Sequence, residues 1–215
     1  MDDHPLILTG LARIINSQSD LSTCAEASTA TAAVSAVAEH QPDLVVLDLW
    51  LKGGDGLELI KALKAQFAQL RILVLSQFDE ALYAERVLRA GAQGYLMKDQ
   101  ATVELLGAIR TVLAGEVYLN RTMTNHLLQK TFANQPAPQT ARVERLTDRE
   151  LQVLLLLGTG MGTRKIAGQL NLSVKTVETY REHLKQKLDL SGATELIHFA
   201  THWVEHYAQA RKRAS

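Results

Sequence analysis

The sequence predicts an open α/β sheet followed by a separate all-α unit of four helices. Three observations carry this. Short β-prone runs alternate with amphipathic helical patterns through the first half of the 215 residues, a polar stretch with two prolines follows, and beyond it only helical periodicity remains. Repeated βα alternation implies right-handed crossovers and a parallel sheet with helices on both faces.

The first helix is expected over 6–15, with Asp3 or His4 before it and Pro5 in its first turn, where a missing N–H does no harm. Strands are expected at 21–27, 44–48, 71–76 and 94–97, each an apolar, β-prone run. Helices fall at 29–40, 56–66, 80–90 and 102–115, with another at 120–131. Residues 133–144 contain Gln-Pro-Ala-Pro-Gln and read as an extended, solvated linker. The later helical patterns are 147–157, 163–170, 174–188 and 193–204. The division expected is therefore 1–119 for the sheet domain, 120–145 for a helix and linker, 146–207 for the helical unit, and 208–215 for a basic tail around Arg211-Lys-Arg213.

Composition narrows the classes further. With 47% hydrophobic residues the chain can build real cores. Its formal charge is zero, but residues 1–129 carry 10 basic and 15 acidic side chains while 146–215 carry 10 and 7. An acidic front and a basic back suit different partners. Cys24 is the only cysteine, which excludes an intramolecular disulfide and fits a reducing cytoplasm; a small buried hydrophobe near a strand is its expected role. No apolar run approaches the ~20 residues of a membrane span, and the N-terminus lacks the regions of a signal peptide. A cytoplasmic protein that stays off the membrane is expected.

The run Leu-Val-Val-Leu-Asp48 ends a buried strand in a carboxylate, at the sheet edge where open α/β folds bind ligands. Asp2, Asp3, Ser76 and Lys98 also fall at strand ends and should converge there. Crowded carboxylates call for a hard cation, and Mg²⁺ takes one or two carboxylates, waters and phosphate oxygens. Such an ion would make Asp48 a plausible nucleophile toward phosphorus, with Lys98 and the Ser76 hydroxyl holding the new phosphate oxygens. Gly53, Gly54 and Gly56 lack the Lys-Ser/Thr ending of a phosphate-binding loop.

Asp2-Asp3-His4-Pro5, Asp48 before Gly53 and Asp55-Gly56, Ser76 in Val-Leu-Ser-Gln-Phe-Asp, and Tyr95-Leu-Met-Lys98-Asp99 together resemble the receiver domain of two-component response regulators, over most of 1–119. The resemblance implies a flavodoxin-like fold of strand order 2-1-3-4-5. It implies that Asp48 is the phosphoacceptor, that Asp2, Asp3, Asp48 and the Trp50 carbonyl bind Mg²⁺, and that Ser76 and Tyr95 are a switch pair acting on the surface around 80–115. Two departures stand out. Lys52 occupies a position that is usually proline, and only Met1 precedes Asp2 where the family has a hydrophobic strand. The expectation is that this first, central strand is truncated and that the working protein begins upstream. Otherwise the terminal ammonium would lie beside Asp2 and compete with Mg²⁺.

In the basic half, Thr147 and Glu150 have capping-box spacing, and Asn171-Leu-Ser173 joins two helical patterns as in a helix-turn-helix. Ile166, Ala167, Leu170, Val174, Val177, Leu184 and Leu188 can form an inner face. The run Lys165-Ile-Ala…Leu172-Ser-Val-Lys-Thr-Val177…Lys187-Leu188 closely resembles the LuxR-type DNA-binding domain, and with the receiver it points to the NarL/FixJ family. That implies insertion of 174–188 into the major groove of double-stranded DNA, with Lys165, Lys175, Thr176, Thr179, Arg181 and Lys185 as contacts. It also implies homodimers through the last helix and an inverted-repeat site.

The function expected is a DNA-binding regulator switched when a sensor histidine kinase phosphorylates Asp48. It would not be an enzyme beyond its own phosphorylation and dephosphorylation. The alternative is a phosphorylation-independent receiver acting as a protein-interaction module. A phosphatase working through an aspartyl-phosphate is disfavoured, since Trp50, not a second acid, stands two residues after Asp48.

Overall fold

The structure, a computed structural model, describes residues 1–51, 55–77, 80–121, 123–125, 127, 142–143 and 145–214; the side chains of 81, 82 and 206–214 lie outside the description. It divides into two units, Met1–Thr124 and Asn125–Ser215. The first holds α1 (Pro5–Asn16), α2 (Ala30–His40), β1 (Leu44–Asp48), α3 (Gly56–Gln66), β2 (Arg71–Ser76), α4 (Glu80–Arg89), β3 (Gly94–Met97) and α5 (Ala101–Leu113). The second holds α6 (Asp148–Gly158), α7 (Thr163–Leu170), α8 (Val174–Leu188) and α9 (Ala193–Ala214).

The three described strands pair in parallel in the order β1-β2-β3. The apolar runs of β2 and β3 are buried on both faces, as a parallel sheet between helices requires, whereas Leu44, Val45 and Val46 of β1 are half-buried. Leu73, Leu75 and Leu96 pack on Ala101, Leu105, Ala108, Ile109 and Val112 of α5. Register places Asp48 opposite Leu75 and Ser76 opposite Met97, so all three strands end at one edge.

The strand expected at 21–27 does not form. A parallel strand needs a continuous ladder with its neighbour, and this segment shares one backbone hydrogen bond with the residues beside β1. Met1 pairs with β1, its ammonium donating to Val46 O at 2.7 Å and its carbonyl accepting the Asp48 N–H at 3.0 Å. On the other side the Asp2 N–H donates to Ala27 O at 3.2 Å. A cavity of about 370 Å³ separates 21–27 from β1, walled by Leu11, Ile15, Val37, Val45, Ile109 and Leu113. Cys24 is accordingly exposed, not buried as expected.

Local chemistry sets the helix ends. Asp55 caps α3 by accepting the Leu57 N–H at 3.0 Å. Gly56 lets that helix start directly against the chain after Asp48, because a Cβ there would lie 2.6 Å from the Leu49 Cα and carbonyl oxygen. Residues 121, 123–125 and 127 of the helix expected at 120–131 are helical, as are 142 and 143 of the expected linker. The Pro136–Pro138 stretch and the loop with Lys52, Gly53 and Gly54 lie outside the described residues.

In the second unit Thr147 and Glu150 form a complete capping box at the start of α6. α7 ends at Asn171, in the left-handed region at φ 52°, and Ser173 caps α8 through the Thr176 N–H at 3.0 Å. That is the tight connection expected. Ile166, Ala167, Leu170, Val177, Leu184 and Leu188 are buried, but Val174 is 41% exposed: at the first position of α8 it precedes the packed turns. α9 continues ten residues past the expected end at 204, so the basic tail is helical in its backbone.

Candidate functional site

Asp2, Asp3 and Asp48 come together at the C-terminal edge of the sheet, joined by His4; each of the four offers a ligand atom within 4.8 Å of the others. Their placement follows from the backbone. Pairing of Met1 beside β1 carries Asp2 next to Asp48, and both are buried, at 1% and 2% exposure. Asp2 rather than Asp3 accepts the peptide N–H of His4 at the start of α1, at 2.9 Å. The His4 Nδ1 lies 3.1 Å from Asp2 Oδ1 and 2.9 Å from Asp3 Oδ1.

Lys98, just beyond β3, is the counter-charge. Its Nζ stands 2.6 Å from Asp2 Oδ2 and 2.7 Å from Asp48 Oδ2, and its N–H donates to Ser76 O at 2.8 Å. Burial pushes the Asp48 carboxyl up, against the pull of Lys98. Burial opposes the charge on Lys98 too, but Asp48 and Asp2 outweigh it and hold the ammonium above its usual range. The terminal ammonium is pushed down by burial, against the carboxylates of Asp2 and Asp48. It bonds to the sheet edge at Val46 O, while Lys98 bridges the two acids.

The residue types fit a hard cation. Buried carboxylate oxygens of like charge are already drawn around one positive group, the Lys98 ammonium. Ser76 is fully buried at the end of β2, and Tyr95 is fully buried within β3 opposite Val74. The Trp50 N–H donates to Asp48 Oδ1 at 3.2 Å, and its indole meets the Tyr83 ring edge-on at 6.4 Å.

Sequence reasoning missed His4 as a member of the cluster and Trp50 as more than a carbonyl. Adjacency to the acidic pair was an available signal for His4. Nothing in the sequence pairs Trp50 with Tyr83, thirty-three residues away.

On the helical unit, Lys165, Lys175 and Thr179 are exposed, and Thr176, Arg181 and Lys185 are half-buried. Lys185 pairs with Glu182 at 2.8 Å, and the Arg181 guanidinium donates to the Thr163 hydroxyl at the start of α7. Arg164, next to Lys165, is also exposed. Glu150 is buried with Lys187 Nζ at 2.7 Å, tying α6 to α8.

An acid cluster with a conjugate lysine at the end of a parallel sheet, followed in the same chain by a helix-turn-helix unit, defines a receiver joined to a DNA-binding module. Residues 1–110 match the response regulator receiver domain, and 144–200 match the LuxR family of bacterial regulatory proteins. The chain belongs to the NarL/FixJ family of two-component response regulators. It is 37% identical over 207 residues to the oxygen regulatory protein NreC of Staphylococcus epidermidis, covering 93% of this chain and 94% of that one. Among solved structures it resembles Salmonella enterica RcsB bound to promoter P1flhDC with the phosphomimetic BeF₃⁻, at 26% identity and TM-score 0.63 over 93% and 95% of the two chains. It also resembles RcsB in a structure of two dimers bound to two parallel DNAs, at 26% identity and TM-score 0.56 with the same coverage. No described helix is long and apolar enough to cross a membrane.

Proposed function

We propose that this chain is a transcriptional regulator whose DNA binding is switched when a sensor histidine kinase phosphorylates Asp48 in a Mg²⁺-dependent step. One observation carries the reading: a single lysine ammonium bridges two buried carboxylates at the sheet edge. Asp2, Asp3, Asp48 and the Trp50 carbonyl would hold Mg²⁺, which when bound offsets the charge of the incoming phosphoryl group. An Asp48 oxygen attacks phosphorus as the donor's phosphorus–nitrogen bond breaks. Lys98 leaves Asp48 Oδ2 for the transferred oxygens, and the Ser76 hydroxyl accompanies it. Water later hydrolyses the acyl-phosphate, so this chemistry is confined to the chain's own modification. Ser76 and Tyr95 are the switch pair.

The output reading places α8 in the major groove. Lys165, Lys175, Thr176, Thr179, Arg181 and Lys185 contact phosphates and bases, and paired copies read an inverted repeat. The relatives described as DNA-bound dimers support this. The boundaries are 1–119 for the receiver, 120–145 for a helix and linker, 146–207 for the DNA-binding domain and 208–215 for the tail. The cytoplasm is the compartment.

A second reading is a receiver that binds a partner without phosphorylation. It is favoured by Lys52, which puts a positive charge four residues after Asp48 where receivers usually have proline. Labelling from acetyl phosphate separates the two: the first reading expects label that needs Mg²⁺ and disappears in Asp48→Asn, and the second expects none in either chain.

A further inference from the structure

Between Asp48 and the segment that leaves the α/β unit lies a series of packed and hydrogen-bonded groups. The Trp50 N–H donates to Asp48, and the Trp50 indole, 9% exposed, abuts the fully buried Tyr83 at an interplanar angle of 85°. Tyr83 lies one turn along α4 from Glu80, and residues three apart share a helix face. Glu80 is a carboxylate buried to 2% exposure, and its Oε1 accepts the Asn120 N–H at 3.0 Å. Asn120 in turn starts the next helical stretch, its Oδ1 accepting the Met123 N–H at 2.8 Å and its carbonyl the Thr124 N–H at 3.0 Å.

The approach to Asn120 is held equally firmly. The Tyr118 N–H donates to Gln93 O at 3.0 Å, and its carbonyl accepts the Tyr95 N–H at 2.9 Å, adding one bridge to the sheet beside β3. The Tyr118 hydroxyl donates to Glu104 of α5, and burial, Glu104 and Glu80 together push that hydroxyl up. A buried carboxylate that loses a hydrogen-bond donor is costly. The start of α4 and the Asn120 N–H must therefore move together or pay for separating.

We propose that Glu80 is a positioning residue that couples Asp48 to the chain leaving the domain, by way of Trp50 and Tyr83; this rests on Asp48 being the phosphorylated residue. A phosphoryl group on Asp48 adds charge and bulk beside the Trp50 N–H. The indole shifts, Tyr83 and α4 follow because a close-packed interior transmits displacement, and Glu80 carries the shift to Asn120. The signal arrives at the cap of the helical stretch that leads toward the DNA-binding domain.

The test uses the full chain with Mg²⁺ and acetyl phosphate, label measured on phosphate-affinity gels, and hydrogen exchange read on peptides covering 116–125. On labelling, exchange there should change about fivefold or more in the wild type and in Glu80→Gln, whose amide oxygen accepts the same hydrogen bond. Glu80→Ala should take label to the same extent and lose the change. Asn120→Pro removes the donor together with the Oδ1 cap on Met123 and should behave like Glu80→Ala, whereas Asn120→Ala loses only the cap and should keep the change; the pair decides the matter if Glu80→Ala does not fold. A labelled Glu80→Ala or Asn120→Pro that keeps the wild-type change overturns the coupling and leaves Asp48 as acceptor. A wild-type chain that takes no label overturns the Asp48 reading and the coupling with it.

Discussion

Lys98 sits between Asp2 and Asp48 at 2.6 and 2.7 Å, with a side chain only 17% exposed. Removing one partner of a buried ion cluster leaves uncompensated charge, here two facing carboxylates. Lys98→Met should therefore lose roughly 3 kcal/mol without divalent cations and regain part of it in millimolar Mg²⁺. Trp50 and Trp203 are the only tryptophans, so urea unfolding followed by Trp50 fluorescence in a Trp203→Phe background reads this unit alone. A Lys98→Met chain indifferent to Mg²⁺ would mean that the pocket takes no cation. Asp48 and Lys98 were legible because a strand end advertises its last residue. The roles of His4 and Trp50 were not, because each depends on which distant side chain the fold brings alongside.

Among the elements, the helix bounds at 56–66, 163–170 and 174–188 were readable to the residue, and Asp55, Asn171 and Ser173, residue types favoured at helix ends, stand at their termini. The segment at 21–27 was misread for the opposite reason: strand propensity forms no ladder without a paired neighbour. The capping box at α6 carries a further load. Burial alone would raise the Glu150 carboxyl, but Lys187 and the Thr147 N–H outweigh it and hold the group below its ordinary value. A carboxylate depressed in the fold stabilises fully above its unfolded value, about 4.3, and that contribution fades as pH falls through the folded value. Glu150→Gln should be about 1–2 kcal/mol less stable at neutral pH, with the gap to wild type closing below about pH 4. Trp203 fluorescence in a Trp50→Phe background follows this unit, and a gap that persists unchanged in acid would show that the charge of Glu150 contributes nothing.

For the whole molecule, the zero net charge conceals an acidic first half and a basic second half, and DNA affinity should be governed by a few exposed cations on the latter. Lys175 is exposed at the start of α8. Lys175→Ala should weaken binding at every salt concentration and reduce the slope of log affinity against log salt by about one. Arg181→Ala should also destabilise the unit, because Arg181 ties α8 to Thr163 of α7. Anisotropy titrations across a salt series check both, and an unchanged slope in Lys175→Ala removes that residue from the interface.

The sequence by itself determined the two-part architecture, the strand that presents Asp48, the capping box of α6, the short Asn171-Leu-Ser173 connection and the family, because each rests on local periodicity, turn chemistry or an ordered motif. Only the tertiary structure decided that Lys98 bridges Asp2 and Asp48, that 21–27 stays outside the sheet, and that Glu80 reaches Asn120. These depend on burial and on pairing between residues far apart in the chain. Such pairing follows from how the elements pack, and no single stretch encodes it.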